Sequence, residues 1–346
     1  MSEVIPAAQK EINENRVEEI KSKIASEEKS YLKYLDLKSI FYNYSLHNSL
    51  LVYLQNRDAI YLATQEEYEG KNLKLKEGAT PIRITVTKEQ EYFLRDGYMT
   101  RVEEATFIEK RELEKGTLAK DKKTHYIDSE VYDVSQLDID KESGERLTKG
   151  FNRIPDVAAA VSVMTELALI SDIDVLRQPL RDTIGYYDND SNQIILNIKA
   201  TDNDAVATLC KTYSQALLYK TTTQHPAVAE FEAASVSYTL ARRFGVEPHS
   251  SDLAIISNFV RSSKETEKYN VEDSLERINK IIKYVNEKID SLLLEYERQY
   301  IVAPSVEKEV SARQGMVNAF FERSALPEEA ILPAKGKSRI GRNRDK

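Results

Sequence analysis

Apolar residues recur at steps of three and four over most of the chain, which predicts a mainly helical protein. The clearest stripe predicts a helix over residues 271–300, and it consists of Leu275, Ile278, Ile282, Val285, Ile289 and Leu292. Further helices are predicted over residues 3–38, 155–176, 204–219, 227–244 and 250–263, and a shorter stripe lies within residues 39–62. We expect the first of these to be a solvated amphipathic helix, and Gly245 to end the helix over 227–244.

Two stretches have the pattern of strands. Ile82 to Val86 alternates between apolar and polar residues after a turn at Gly78. Farther on, Gly185 to Tyr187, the polar turn 188–192 and the apolar run 194–198 predict a hairpin that leads into a strand. Residues 87–128 are rich in Lys and Glu with weak periodicity, and we interpret them as an insertion.

The predicted helix over 204–219 organises the second half of the chain. Asp204 is in position to cap it, and Val206, Leu209, Cys210, Ala216 and Leu217 form one apolar face. Cys210 is the only cysteine, so no internal disulfide is possible. We expect a buried, inert thiol in a reducing cytoplasm rather than a catalytic cysteine.

Composition narrows the possible functions. The 346 residues suggest about two domains, and 41% hydrophobic with 31% charged residues is typical of soluble globular proteins. We find no apolar run of ~18 residues and no signal-peptide pattern, so we expect a protein of the bacterial cytoplasm without a membrane partner. The net charge of −8 argues against broad, nonspecific wrapping of nucleic acid.

Positive charge is nevertheless concentrated locally. The segment from Lys71 to Lys88 contains five basic residues and one acidic residue. The segment from Lys335 to Lys346 contains six basic residues and one acidic residue. The second run is typical of a flexible solvated tail, with nucleic-acid contact as the alternative.

The order hairpin, edge strand, helix and glutamate-bearing helix resembles that of zincin metallopeptidases. In those enzymes His-Glu-x-x-His places two imidazoles on one helical face to bind zinc, and the glutamate acts as general base. The matching positions here are Lys211, Thr212 and Gln215, with Glu232 at the position of the third ligand.

These side chains lack the chemistry of a zinc peptidase. A protonated Lys211 offers no lone pair, Gln215 offers only a weak carbonyl donor, and the Thr212 hydroxyl is too weakly acidic to act as general base. We therefore predict no catalytic residues, no metal and no cofactor. One hypothesis is that a Lys211–Glu232 ion pair takes the place of the metal.

The first half carries motifs of another kind. Tyr44-Ser45-x-x-Asn48-x-x-Leu51 is followed by Gln55-Asn56-x-Asp58-Ala59, by a Lys-rich turn into Ile82-x-Ile84, and by Val131 to Gln136. Their order resembles the N-terminal domain of ArdC-type antirestriction proteins and related LtrC-like proteins of plasmids and conjugative elements. The resemblance runs from about residue 12 to about 295, with Tyr68 where the family usually has tryptophan.

This resemblance implies an N-terminal domain that binds single-stranded DNA, followed by a zincin-like domain. Single-strand binders combine a positive groove with aromatic platforms. The candidate DNA-binding residues are Tyr42, Tyr44, His47, Asn48, Gln55, Lys71, Lys74, Lys76 and Arg83. The structural alternative is that the aromatic residues are core, the amides cap helices and the lysines are solvated.

We therefore predict an α+β protein in two domains with a tail. An ArdC-like N-terminal domain over 1–145 contains the insertion 87–128, a mostly helical zincin-like domain with a small sheet covers 146–300, and a helical or flexible tail with a basic C-terminus covers 301–346. The expected function is nonenzymatic single-stranded-DNA binding of the antirestriction type in a phage, plasmid or conjugative element. The alternative is a protein-interaction factor that binds or inhibits a host defence protein, and a working metallopeptidase is a third possibility.

Overall fold

A computed structural model describes residues 7–152, 156–221, 225–265 and 270–300. Helices and strands are both present within these ranges, which confirms the α+β class. The helices are α1 Ala7–Ser26, α2 Glu28–Ile40, α3 Leu46–Gln55, α4 Gln65–Glu69, α5 Phe107–Lys115, α6 Lys141–Asn152, α7 Val157–Leu169, α8 Asp202–Thr221, α9 Pro226–Arg243, α10 Ser250–Glu265 and α11 Val271–Tyr300. The strands are β1 Leu62–Ala63, β2 Ile82–Arg95, β3 Tyr98–Arg101, β4 Asp121–Asp133, β5 Asp174–Gln178, β6 Gly185–Asp188 and β7 Gln193–Asn197. The predicted tail over 301–346 lies outside the described residues.

The N-terminal stretch forms two helices rather than one. Glu27, with φ −123° and ψ 114°, separates α1 from α2, and residues 3–6 lie outside the described ranges. The prediction of a solvated helix is wrong for α2, because Tyr31, Leu35 and Leu37 are almost completely buried. Along much of its length α2 is a core helix that packs on α9.

The first sheet is antiparallel, with strand order β1-β4-β2-β3. Strands β2 and β4 pair from Ile82 opposite Val131 to Tyr92 opposite Asp121. The segment 87–128 therefore has regular structure, and we call it the arm. It consists of the outer parts of β2 and β4, strand β3, a 3₁₀ turn at Val102–Glu104 and helix α5. A small core of Phe93, Ala105 and Leu113 joins α5 to the strands.

The inner edge of β2 is closed by two side-chain amides from α3. Asn48 donates to the Thr85 carbonyl at 2.7 Å and accepts from the Thr85 amide at 2.9 Å. Gln55 makes the same pair of bonds with the Arg83 backbone, both at 2.9 Å. These amides take the place of a neighbouring strand, so this part of the edge offers no free ladder for another chain.

The second sheet has strand order β5-β7-β6. The predicted hairpin is confirmed as β6 and β7, but β7 is the central strand rather than an edge strand, since β5 pairs with it in parallel on the other side. The helix predicted over 155–176 is too long: α7 ends at Leu169, Asp172 takes the left-handed conformation at φ 58°, and β5 follows. Pro155, at the predicted first turn, lies outside the described residues.

Helix α8 lies close against this sheet. A Cβ at Gly185 of β6 would come within 2.6 Å of the Ile195 carbonyl oxygen and 2.9 Å of Thr208 on α8, so only glycine fits there. The N-cap is Thr201, whose hydroxyl accepts from the Asp204 amide at 3.2 Å; the prediction that Asp204 itself caps the helix is wrong by one turn.

One large hydrophobic core contains residues from both halves of the chain. The predicted stripe of α11 is confirmed, with Leu275, Ile278, Ile282, Val285 and Ile289 at 0% exposure. Helix α9 ends as expected at Gly245, where φ is +70° and Val246 donates to the Ala241 carbonyl. The domain boundary placed near residue 145 falls inside α6 and remains a prediction. Among the helices that the structure describes, none is long and apolar enough to span a bilayer.

Candidate functional site

The positions that would carry His-Glu-x-x-His lie on α8 as predicted, and each has a structural contact. The Lys211 ammonium donates to the Ser251 hydroxyl at 2.7 Å. Thr212 is buried, and its hydroxyl donates to the Thr208 carbonyl of its own helix at 2.7 Å. The Gln215 side chain lies close to the Tyr219 hydroxyl of the same helix.

Glu232 is paired with a different cation from the one we expected. Its carboxylate accepts from Arg277 of α11, with N–O distances of 2.6 and 2.8 Å, and only 2% of its side chain is exposed. The hypothesis of a Lys211–Glu232 ion pair is therefore wrong. A guanidinium from α11 neutralises the buried carboxylate, and it offers a planar fork that an ammonium lacks.

Lys211 instead joins a polar network at the start of α10. The Ser251 hydroxyl lies 2.8 Å from His249 Nδ1, and the neighbouring Asp252 accepts from the Ser237 hydroxyl at 2.6 Å. Burial raises the pKa of Asp252 to about 6, although the bond from Ser237 and the charge of Lys211 act in the opposite direction. Burial, together with the charge of Lys211, lowers the pKa of His249 and so favours its neutral form.

These residues do not fit a zinc ion. The nearest imidazole in this network is bonded to Ser251, and Lys211 would place a positive charge beside the metal. Among the described residues no group of three or more His, Cys, Asp and Glu side chains is arranged to hold a metal. Cys210 is buried in the core as expected, and burial raises the pKa of its thiol.

The two tyrosines predicted to contact DNA both lie in packed surroundings. Tyr44 is 4% exposed and packs against Phe41. The Tyr42 hydroxyl donates to both carboxylate oxygens of Asp290 at 2.9 and 3.0 Å, and the Arg243 guanidinium lies 4.3 Å from the ring centroid. Burial raises the pKa of Tyr42 to about 12. Neither ring offers a free face for a base in this arrangement.

The predicted polar residues of α3 divide into two groups. Asn48 and Gln55 hold the helix against β2 through the four backbone bonds described above. His47 is exposed in the first turn of α3, beside the base of the arm.

The predicted basic residues lie in two places, Arg83 on β2 and the three lysines on the segment that precedes it. Lys74 and Lys76 are exposed on the segment that runs beside residues 135–138, and Lys76 donates to the Ser135 carbonyl at 2.8 Å. Partial burial lowers the pKa of Lys71, whose ammonium lies 5.8 Å from the Tyr61 ring centroid. Arg83 pairs with Glu130 at 3.2 Å. The structure thus does not bring the nine candidates onto one surface, and their contact with DNA remains a prediction.

Sequence reasoning missed two features. The first is the network of Lys211, His249, Ser251 and Asp252, because it joins residues 40 positions apart and has no short motif. The second is the arm, whose exposed side chains give no apolar stripe. A weak pattern typical of a strand was nevertheless present, since the acidic residues Glu89 and Glu91 alternate with Lys88, Gln90 and Tyr92.

Fold and site together define an α+β protein in which helices α8 and α9, over the residues that the structure describes, hold no cluster of three or more metal-binding side chains. No protein-family model and no curated protein sequence matches the chain. The chain is similar to the crystal structure of antirestriction ArdC protein from R388 plasmid in its metal-free form, with a TM-score of 0.42 and 12% identity over 73% of this chain and 86% of that one. Its similarity to the Mn(II)-bound structure has a TM-score of 0.39 and 12% identity over 72% and 85%. Both are of the family that the sequence motifs resemble.

Proposed function

We propose that this protein acts by binding rather than by catalysis, as a single-stranded-DNA-binding factor of the antirestriction type. The observation that carries the proposal is the state of the zincin position. Lys211 is bonded to Ser251, Thr212 to its own helix and Glu232 to Arg277. Two of these contacts join helices, Lys211 of α8 to α10 and Glu232 of α9 to α11, and the Thr212 hydroxyl is bonded within α8.

The choice of single-stranded DNA as partner rests on the first half of the chain. Its motifs resemble a domain that binds single strands, and exposed basic residues are concentrated there despite the net charge of −8. In an acidic protein the binding would depend on a few local cations. It should therefore weaken steeply as salt rises.

Two measurements test this proposal. A fluorescein-labelled oligo(dT) is titrated with the full-length protein at low and moderate salt, and we expect binding that weakens as salt increases. Elemental analysis of the purified protein should give no stoichiometric zinc or manganese. A failure to bind at either salt would refute the DNA part, and a bound metal ion at one per chain would refute the nonenzymatic part.

A second candidate function is binding to a host protein. The observation that favours it is the apolar end of the arm, where Tyr98, Phe107 and Ile108 are 78%, 81% and 70% exposed. Exposed large side chains of this kind are typical of protein contacts. Affinity capture from host lysate with the full-length protein and a Phe107→Ser/Ile108→Ser variant tests this function, since a specific partner should be lost only with the variant.

A further inference from the structure

The two faces of the arm differ in whether their charged side chains form ion pairs. Strand side chains alternate between faces, and cross-strand partners share a face. We define face A by Lys88, Gln90, Tyr92 and Leu94 of β2, Met99 and Arg101 of β3, and Asp121, Lys123 and His125 of β4. Face B carries the intervening residues, and helix α5 covers it near the tip through Phe93.

Charges on face B are neutralised within the arm. Lys122 pairs with Glu89 at 3.3 Å, and Arg95 pairs with Glu109 of α5 at 2.6 Å. Lys120, just before β4, pairs with Glu91 at 3.2 Å. Both acidic residues in the outer part of β2, Glu89 and Glu91, therefore form ion pairs on face B.

Cations on face A are not neutralised in the same way. Lys88, Arg101 and Lys123 are exposed, and none of them has an ion pair within 4.0 Å among the residues that the structure describes. Face A between Lys88 and Leu94 includes the residues of β3 and β4 that pair with this part of β2, and all of them are described by the structure. Asp121 is the only acidic residue among them. The three cations spread over about 13 Å of strand, at ~3.3 Å per residue.

Aromatic side chains lie among these cations, and apolar side chains lie beyond them at the outer end of the face. The Tyr92 hydroxyl is 2.8 Å from His125 Nε2, and the two ring centroids are 5.7 Å apart. Leu94 and Met99, opposite each other at the outer end, are 60% and 41% exposed. Face A thus combines flat π-surfaces, apolar contacts and unpaired positive charge.

The same face leads into the body of the protein. Its inner continuation, Ile82 and Ile84, is buried in the main core. The first turn of α3, with the exposed His47, lies beside Thr85. A strand of nucleic acid on face A would therefore run towards the N-terminal end of α3, where helix polarity favours phosphate.

We propose that face A of the arm is a binding site for single-stranded nucleic acid. Phosphates contact Lys88, Lys123 and Arg101, and bases stack on Tyr92 and His125. The inference rests on the proposed function and names its surface, which differs from the nine residues predicted from the motifs. A single strand suits the site better than an acidic protein segment does, because carboxylates would meet the cations but would leave the π-surfaces without stacking partners.

The experiment is fluorescence anisotropy with the full-length protein and a labelled oligo(dT) of about 20 nucleotides, longer than the ~4–16 that such sites cover. We expect Lys88→Gln/Lys123→Gln to weaken binding about tenfold at low salt. It should also reduce the slope of log affinity against log salt by ~1.4, or ~0.7 per lost phosphate contact. Tyr92→Ala should weaken binding about fivefold or more through lost stacking.

Matched controls come from the opposite face of the same strands. Lys120→Gln/Lys122→Gln removes the same amount of charge and should change affinity less than about twofold, and Tyr126→Ala, 66% exposed on face B, should behave like the wild type. Circular dichroism and melting temperature check that every variant is folded.

The possible outcomes separate the two proposals. If wild-type protein binds the oligonucleotide and the face A variants bind as tightly as their face B controls, this inference is refuted while the proposed function stands. If wild-type protein does not bind at low salt, both are refuted, and an acidic protein becomes the partner to test against face A. Selective loss in the face A variants supports the site.

Discussion

At the scale of single residues, the buried carboxyl groups of Glu232 and Asp252 have different hydrogen-bond partners. Glu232 is paired with a guanidinium, whereas Asp252 accepts a hydroxyl bond and has a raised pKa. A guanidinium lies against the first carboxylate, whereas burial makes the neutral form of Asp252 accessible. Each makes a separate prediction for stability.

Replacing Arg277 with Met should lower the free energy of unfolding by about 2 kcal/mol. Removing one partner of a buried pair costs ~3–5 kcal/mol, and we reduce that figure because the Arg277 side chain is 37% exposed. Urea denaturation measures the change. Arg261→Met is the control, since Arg261 is 68% exposed and lies 3.8 Å from Glu28. Equal losses in the two variants would contradict a stabilising role for the Arg277–Glu232 pair.

Asp252 should make the protein less stable as pH rises from about 4 to about 6. Its folded pKa of about 6 is above the ~3.9 of an unfolded chain, so the folded state holds the proton over this window while the unfolded state releases it. The contribution falls by at most about 3 kcal/mol and is constant above pH 6. Asp252→Asn should remove this component from melting curves measured against pH. The exposed Asp138→Asn should retain it, and parallel curves for Asp252→Asn and wild type would contradict the prediction.

At the scale of elements, the docking of α3 on β2 depends on the Asn48 amide more than on that of Gln55. Both make two backbone bonds, but Asn48 is 7% exposed and Gln55 is exposed. We expect Asn48→Ala to cost about 2 kcal/mol, because the Thr85 backbone is left unsatisfied, and Gln55→Ala about half as much. Hydrogen exchange should accelerate at the Thr85 amide in the first variant. Unchanged exchange there would show that water replaces the side chain without loss.

Sequence patterns identified those elements that have one buried face. The stripe of α11 and the hairpin of β6 and β7 were predicted because apolar positions repeat with the period of each element. The arm was not, since exposed residues line most of both its faces. Lys38 shows the opposite error, because a lysine is expected to be exposed to solvent. Its side chain is fully buried and donates to the carbonyls of Phe41, Tyr42 and Tyr44.

At the candidate site, the structure differs from the sequence prediction because the partners of the key side chains lie far away in the sequence. The spacing on α8 identified Lys211, Thr212 and Gln215, but nothing local indicated that Ser251 would hold the ammonium or that Arg277 would reach Glu232. Likewise, nothing in the motif around Asn48 indicated that its side chain would bond to Thr85 of β2, 37 residues farther along the chain.

At the scale of the whole molecule, the two halves are joined through buried polar contacts as well as through a common core. Tyr31 bonds Ser235 at 2.8 Å, and Asp36 accepts from Tyr238 at 2.9 Å. We therefore expect one cooperative urea transition, with far-ultraviolet circular dichroism and tyrosine fluorescence coinciding. A fragment of residues 1–145 should be unstable alone, because the face of α2 that packs on α9 would be exposed. Two separate transitions, or a cooperatively folded fragment, would contradict this expectation.

The solitary thiol of this chain has a practical consequence. Cys210 lies at 0% exposure within α8, and a sulfhydryl shielded in this way reacts slowly with maleimides while the fold is intact. A dye could therefore be attached to one engineered cysteine at the tip of the arm without first removing the native one. Movement of the arm on meeting its partner would then become visible by fluorescence in the otherwise unaltered protein.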